Sequence, residues 1–380
     1  MDAPLSGFIS TSFRPERGQS AISRNGTYRA RAPLRLAFAG GGTDLSPYSD
    51  VHGGAVLNAT INRFAHASLR ITGGDRVEMR ALDPGCEEQE AVGLLPAVGP
   101  LSLHRAVYNR IVREFCDGRA FGANITTMID APPGSGLGSS SALVVALVDV
   151  FREALGLPLG RYDVAHIAFE IERVDLALAG GKQDQYAASF GGVNFIEFLP
   201  SDRVIVNPLR ISPTTLSELQ ASIVICFTGQ SRASEDIILD QVSSIAESDP
   251  KVIENLHCLK SDAVEMKQAL LLGDIPGMAE ILDRSWHAKK ATAHCISNNL
   301  IESLWDIAHR NGALAGKISG AGGGGFMVFL VDPDERVRVM RALKEGGGTP
   351  DSISLAHDGV AAWSAGRGRH PEPLSLAPAS

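Results

Sequence analysis

Cysteine is scarce and never paired in sequence. The five, Cys86, Cys116, Cys226, Cys258 and Cys295, are odd in number, widely spaced and form no CxxC. That argues against a disulfide framework and a cysteine-based zinc site, and fits a reducing, cytoplasmic setting. No apolar run reaches the roughly 18–20 residues that a membrane-spanning helix needs, so no membrane partner is expected. The first 30 residues lack the apolar stretch of a secretory signal. They carry Arg14, Arg17, Arg24 and Arg29 among serines with few acids. Transit peptides, solvated extensions and vector-derived leaders share that composition. Basic residues are in deficit too. The 35 Lys and Arg against 43 Asp and Glu leave a net charge of −8. A sequence-independent nucleic-acid binder is usually basic, so nucleic acid is not an expected partner.

Apolar residues are plentiful, at 44% of 380 residues, which allows a sizeable core and about two or three domains, or one large one. No internal repeat is present. Leu34–Ala39 alternates as a strand, and apolar segments at Ala55–Ile61 and Ala65–Ile71 suggest a β-rich opening. Leu103–Phe115 has helical spacing, Ala123–Ile129 reads as a strand, and helices are expected over Ala142–Leu155 and Val164–Leu178. Strands follow at Val193–Phe198, Ile223–Phe227 and Phe326–Val331. Helical spacing covers 234–247, 251–272, 276–293, 301–311 and 337–344. Strands mixed with helices, without strict alternation, point to an α+β fold.

Glycine is the informative residue. Forty are present, many in three clusters: Gly40-Gly41-Gly42, the string Pro132-Pro133-Gly134-Ser135-Gly136-Leu137-Gly138-Ser139-Ser140-Ser141, and Gly320–Gly325. The middle string joins a strand to a helix N-terminus. Glycines there let the backbone approach a ligand, and the free N–H groups of the first helical turn suit a polyphosphate. The hydroxyls of Ser139–Ser141 could cap the helix, touch phosphate or hold Mg²⁺. The string lacks the lysine of a Walker A loop, and Ser139 stands where a Rossmann fingerprint needs its last glycine. Gly320, Gly322 and Gly325 do fit GxGxxG, but they open into a strand rather than a helix. That removes the context a dinucleotide site requires, and the run could instead lie against phosphates or a substrate.

Several charged residues border these clusters. Asp184 follows Gly180-Gly181 and is flanked by Lys182, Gln183 and Gln185. A carboxylate there could take the proton of a hydroxyl that accepts a phosphoryl group, where positioning matters more than base strength. It could equally be a surface turn residue. Glu172 could reach Mg²⁺ or be an ordinary helix carboxylate. Asp44 could bind sugar hydroxyls or simply serve its turn.

Together, Leu34–Asp44, Pro132–Ala142 and Lys317–Gly325 resemble the three motifs of the GHMP small-molecule kinases, a match spanning about residues 31–345. Finer strings resemble the heptose-7-phosphate kinase branch, with sugar-1-kinases such as fucokinase nearby. They are Ala32–Asp44, Gly180–Tyr186, Phe227–Arg232 and Lys317–Gly325. The resemblance implies a ribosomal-S5-like lobe over 31–210 and a ferredoxin-like lobe over 211–365. A flexible extension at 1–30 and a flexible tail at 366–380 would flank them. It implies ATP and Mg²⁺, with Gly134–Ser141 cradling the nucleotide and Ser140 and Glu172 holding the metal. Glu170 lies close enough to compete for that last register. Asp184 matches the catalytic aspartate. Arg35, or Lys182, would hold it ionised and oriented.

Galactokinase carries Glu-His-x-Asp in its first motif, whereas this chain has Gly-Gly-Thr-Asp. That weakens galactose as substrate and leaves Thr43 and Asp44, beside Gly42, as the expected hydroxyl binders. Gly322 and Gly323 are expected against the substrate as well. A sugar phosphate also needs cations, for which Arg232, Lys289 and Lys290 are candidates. The implied reaction is ATP-dependent phosphorylation of the anomeric hydroxyl of a heptose 7-phosphate, feeding nucleotide-activated heptose synthesis. The alternatives are a kinase for a free sugar or C7 cyclitol, a silent sugar sensor on the same scaffold, and a nicotinamide-dependent oxidoreductase. A homo-oligomer is compatible with all of them.

Overall fold

The computed structural model describes residues 26–230, 234–247, 249–293 and 295–365. The chain enters as β1 (Thr27–Ala39), makes the short α1 (Tyr48–His52) and returns antiparallel as β2 (Gly54–Ile71). The two apolar segments expected after residue 54 are thus one 18-residue strand. The pairing with β1 skips from Ile61 to Phe64, opposite Leu34 and Pro33. Such a bulge bends a strand, and beyond it β2 changes its second neighbour. A hairpin of β3 (Arg76–Ala81) and β4 (Cys86–Ala91), α2 (Ser102–Phe115) and β5 (Ala123–Ile129) follow. The glycine-rich loop then leads into α3 (Ser139–Leu155). Next come α4 (Arg161–Glu170), α5 (Gln183–Phe190), β6 (Val193–Leu199) and β7 (Arg203–Pro208). These strands form one sheet in the order β4-β3-β5-β2-β1, with β6 and β7 attached to the first half of β2.

The second lobe opens with α6 (Pro213–Ser222) and β8 (Ile223–Phe227). Helices α7 (Ser234–Ala246), α8 (Pro250–Leu272), α9 (Ile275–Lys290) and α10 (Asn299–Arg310) follow. Strands β9 (Ala313–Ile318) and β10 (Phe326–Val331), helix α11 (Arg336–Glu345) and strand β11 (Thr349–Asp351) complete it. Its sheet runs β11-β8-β10-β9, all antiparallel. That is the β-α-β-β-α-β ferredoxin-like arrangement, with three extra helices inserted before α10. Strands β8 and β10 read as unbroken apolar runs because the sheet is covered on both faces. Ile225 and Val328 face the core shared with the first lobe, while Val224 and Phe329 face a separate cluster with Trp286 and Leu304.

The structure departs from the sequence reading at several points. The helix expected to reach Leu178 loses α-helical form at Glu170 and widens into a π-turn over Ile171–Asp175. Residues 183–190, a polar run followed by small residues for which no helix was expected, form α5. Ala361–Ala365, expected in the second lobe, forms β12 and pairs with Thr27–Arg31 of β1. The same pairing places residues 27–30, expected as part of a flexible extension, inside a sheet. The tail from 366 and residues 1–25 lie outside the described residues.

Candidate active site

The loop between β5 and α3 has Gly134, Gly136 and Gly138 at φ +68, +74 and +71, a region that disfavours side chains with a Cβ. Gly138 is the N-cap of α3 and provides no side-chain cap, so the amides of Ser139–Ser141 stay available to an anion. The third cluster braces this loop. The Phe326 amide donates to the Ser135 carbonyl at 2.9 Å, and the Ser319 hydroxyl to the Gly136 carbonyl at 2.9 Å. A Cβ on Gly136 would lie 2.5 Å from the Ser319 carbonyl oxygen. The two glycine runs therefore need glycine in order to lie backbone on backbone.

Arg35 ties all three motifs together. Its own amide donates to the Leu137 carbonyl at 3.0 Å. Its guanidinium donates to the Gly136 carbonyl at 2.7 Å and, from Nε, to Asp184 Oδ1 at 2.7 Å. Asp184 lies in the first turn of α5, where the helix dipole favours an anion. A Cβ on Gly138 would lie 3.1 Å from the Asp184 carboxyl carbon, so the carboxylate sits directly against the loop.

Beside the loop, the Ser140 hydroxyl donates to Glu172 Oε1 at 2.7 Å. Gln185 Nε2 holds the other carboxylate oxygen at 2.5 Å. The competing Glu170 is turned away and pairs with Arg110 at 3.1 Å. The π-turn carries Glu172 inward to a buried position facing Ser140. Such turns recur where a helix must redirect a functional side chain. A hydroxyl and a carboxylate this close are oxygen donors of the type Mg²⁺ takes, together with phosphate oxygens. The residue types and their spacing fit that ion.

Next to Asp184 a cleft is lined by Asp44 and Gln183 from the first lobe and by Gln241, Lys289, Gly320 and Ala321 from the second. Asp44 is buried and accepts from the Gln183 amide at 3.1 Å and the Gly42 amide at 3.2 Å. Burial first, and then the neighbouring Asp184 carboxylate, push its carboxyl above the ordinary range; those amides pull the other way. Gln183 Oε1 is buried in this cleft with no partner among the described residues. An orphaned acceptor beside a carboxylate is what a polyhydroxylated ligand would satisfy.

Four expected ligand residues serve other purposes. The Thr43 hydroxyl donates to the Gly40 carbonyl at 2.8 Å and accepts from the Ala55 amide at 3.0 Å, so it braces the first glycine turn and does not face the cleft. Lys182 does not hold Asp184: its ammonium lies 2.5 Å from Asp202 and 3.6 Å from Asp50. Gly322 and Gly323 pack on Ile296, with the Gly323 amide donating to its carbonyl at 2.8 Å, and leave the lining to Gly320 and Ala321.

Gly42 does line the cleft, at φ +103. Of the cationic candidates, Lys289 is buried in the cleft wall and donates to the Gly320 carbonyl. Burial, then Arg35, push its ammonium down to about 8 against the pull of Asp44 and Asp184. Lys290 turns to Glu302 at 3.2 Å, and Arg232 lies outside the described residues. Gln183, in the polar run around Asp184, does line the cleft, whereas sequence reasoning missed Gln241 and Arg173. The Gly180-Gly181 pair is the one local signal for Arg173, since the guanidinium lies where a Gly180 side chain would be.

A glycine loop with free helix-start amides, a carboxylate against it and a polar cleft beside both are the arrangement a small-molecule phosphotransferase needs. Comparison with known proteins gives the same class. The GHMP kinases N terminal domain matches residues 102–192, and the GHMP kinases C terminal matches residues 266–348. The D-glycero-alpha-D-manno-heptose 7-phosphate kinase of Campylobacter jejuni is 43% identical over 89% of this chain and 99% of its own length. A crystal structure described as a D-glycero-D-manno-heptose 1-phosphate kinase from Bacteroides thetaiotaomicron superposes with a TM-score of 0.76. It shares 42% identity over 88% of this chain and 98% of that one. Galactokinase of Lactococcus lactis shares the fold at a TM-score of 0.70 and 18% identity, over 89% of this chain and 95% of that one. The chain belongs to the GHMP kinase family. Among the described residues, no helix is long and apolar enough to cross a membrane.

Proposed function

We propose that the chain transfers the γ-phosphoryl group of ATP to the anomeric hydroxyl of a heptose 7-phosphate, giving the 1,7-bisphosphate used in nucleotide-activated heptose synthesis. The observation that carries this reading is the Arg35–Asp184 pair, set against Gly138 of the phosphate loop and opening onto a cleft with Asp44 and Gln183. Gly134–Ser141 would cradle the polyphosphate. Ser140 and Glu172 would hold Mg²⁺, which when bound neutralises charge on the phosphates. With Oδ1 committed to Arg35, Asp184 Oδ2 is free to accept the proton of the attacking hydroxyl. The sugar's hydroxyl oxygen, its proton passed to Asp184, bonds to the γ-phosphorus as the bond to the β,γ-bridging oxygen breaks, and ADP leaves. Asp44 and Gln183 would orient the sugar ring.

The names of two of the relatives place the substrate's phosphate differently, at C7 in one and C1 in the other. A phosphate on C1 would occupy the hydroxyl that Asp184 is set to serve, so C7 is the assignment adopted. The test is Asp184→Asn with heptose 7-phosphate, read by ADP release. Turnover is expected to drop by about 10²–10⁴, the range of a lost general base, with ATP affinity kept. Near-normal turnover would remove Asp184 from the mechanism.

A further inference from the structure

Three cationic side chains among the described residues line the cleft, and two are already engaged at its reacting end. Arg35 is paired with Asp184, and Lys289 donates to the Gly320 carbonyl. Arg173 differs from both. Its guanidinium touches backbone carbonyls alone: Leu178 at 3.3 Å, Ala179 at 3.4 Å, and Gly181 at 3.4 Å from both Nε and one terminal nitrogen. All are long bonds to neutral acceptors, so they place the group without neutralising its charge. Among the described residues it has no carboxylate partner, although Glu170, Glu172 and Asp175 all lie within three positions of it. Those carboxylates are taken by Arg110, at 3.1 Å from Glu170 and 2.9 Å from Asp175, and by Ser140 and Gln185 for Glu172.

The backbone around Arg173 is shaped for it. The π-turn puts Glu172 on the Ser140 side and Arg173, the next residue, on the cleft side. The Gly180-Gly181 pair then passes beneath the guanidinium, and a side chain at 180 would displace it. Gly181 in turn lies against the Asp44 carboxylate, so the guanidinium and the hydroxyl-binding residues share one wall of the cleft. A half-buried guanidinium held only by long bonds to neutral carbonyls, with no counter-ion among the described residues and facing a cleft, matches the charge and oxygens of a phosphomonoester.

We propose that Arg173 is the residue that seats the phosphate group of the sugar substrate, and so sets the preference for a phosphorylated over an unphosphorylated sugar. The proposal rests on the sugar-phosphate reading of the preceding section. Arg173 takes no part in the transfer itself: it holds the dianion, and Asp184 serves the hydroxyl.

The experiment measures kcat/KM at saturating ATP for heptose 7-phosphate and for the same heptose without its phosphate, in the wild type, Arg173→Ala and Arg173→Lys. The phosphorylated-to-unphosphorylated ratio is expected to fall about 100-fold in Arg173→Ala. Arg173→Lys, which keeps the charge and loses the fork, is expected in between. The KM for ATP should stay within about threefold in both. An equal loss on both sugars would assign Arg173 a merely structural role in the 178–181 turn and overturn the proposal, as would an unchanged ratio. If instead the wild type turned over the unphosphorylated sugar and not the phosphate, the sugar-phosphate reading would itself be wrong and the proposal would fall with it. The wild-type arm alone separates that case from the others. Should Arg173→Ala not fold, the lysine variant carries the test through the same ratio.

Discussion

Replacing Arg35 with lysine keeps a positive charge at the centre of the site but removes its geometry. The guanidinium makes two short bonds in different directions, to Asp184 Oδ1 and to the Gly136 carbonyl, each 2.7 Å. An ammonium is a point donor on a flexible stem and cannot hold both in that fork. If it keeps Asp184, the Gly136 carbonyl still accepts from the Ser319 hydroxyl at 2.9 Å and is not orphaned. One charge-assisted bond is lost, and the stability cost should be about 1–2 kcal/mol. Arg35→Met removes the whole partner from a buried position. Breaking a buried pair costs about 3–5 kcal/mol, but the Asp184 side chain is 24% exposed, so about 2–4 kcal/mol is expected. Activity should respond more sharply than stability. Asp184 is fixed against Gly138 through this pair, and a shift of about 1 Å in a reacting group costs about 10²-fold in rate. Arg35→Lys should therefore lose about 10²-fold in kcat while its urea unfolding midpoint moves little. A cycle of Arg35→Met with Asp184→Asn should show a coupling of about 1–3 kcal/mol in stability. A lysine variant with wild-type kcat, or a cycle with no coupling, would refute the claim that Arg35 positions Asp184.

Two further outcomes follow from the same geometry. Ser140→Ala leaves Glu172 held by Gln185, so the variant should fold normally and need about tenfold more Mg²⁺ for half-maximal rate; an unchanged metal titration would count against Ser140 as a ligand. Lys289 is faced by Arg35 and Lys317, which repel its charge, and by Asp44 and Asp184, which attract it. Its ammonium gives up a proton near 8 in the folded protein against an ordinary value of 10.5. Between those two values the unfolded chain binds more protons, so this lysine's contribution to stability rises with pH, by at most about 1.4 kcal/mol per pH unit. Below about pH 8 that contribution is flat. Lys317 is lowered by burial as well and adds a rise of the same sign, so urea unfolding from pH 7 to 9.5 should show a steeper rise in the wild type than in Lys289→Met, and parallel profiles would contradict it.

The phosphate loop could be read directly because everything it needs is contiguous. Three glycines at alternate positions, a strand before them and an apolar helix after them fix both the backbone path and the free amides. Strands β5, β8 and β10 and helices α2 and α8 were legible for a similar reason: each carries a strong local apolar pattern. The edge hairpin β3–β4 was not, since strand β4 is Cys-Glu-Glu-Gln-Glu-Ala and nearly all exposed or half-exposed. Its place is set by pairing with β3, which itself pairs parallel to β5. Nor was β12, whose five residues become a strand by joining β1, more than 300 positions earlier in the chain.

By itself the sequence determined that a glycine loop with free helix-start amides, suited to a polyanion, follows β5, and that Asp184 is chemically suited to stand beside it. Tertiary structure decided which side chains are available for that work. Thr43 and Lys182 have the right chemistry, but the fold gives them partners at Ala55 and Asp202. Arg173 looks in the sequence like one more helix cation among acids, and folding assigns those acids to Arg110, Ser140 and Gln185. A residue type fixes which bonds can form; whether a group is left with an unmet charge depends on which competitors reach its neighbours first, and that is settled by distances between segments far apart in the chain.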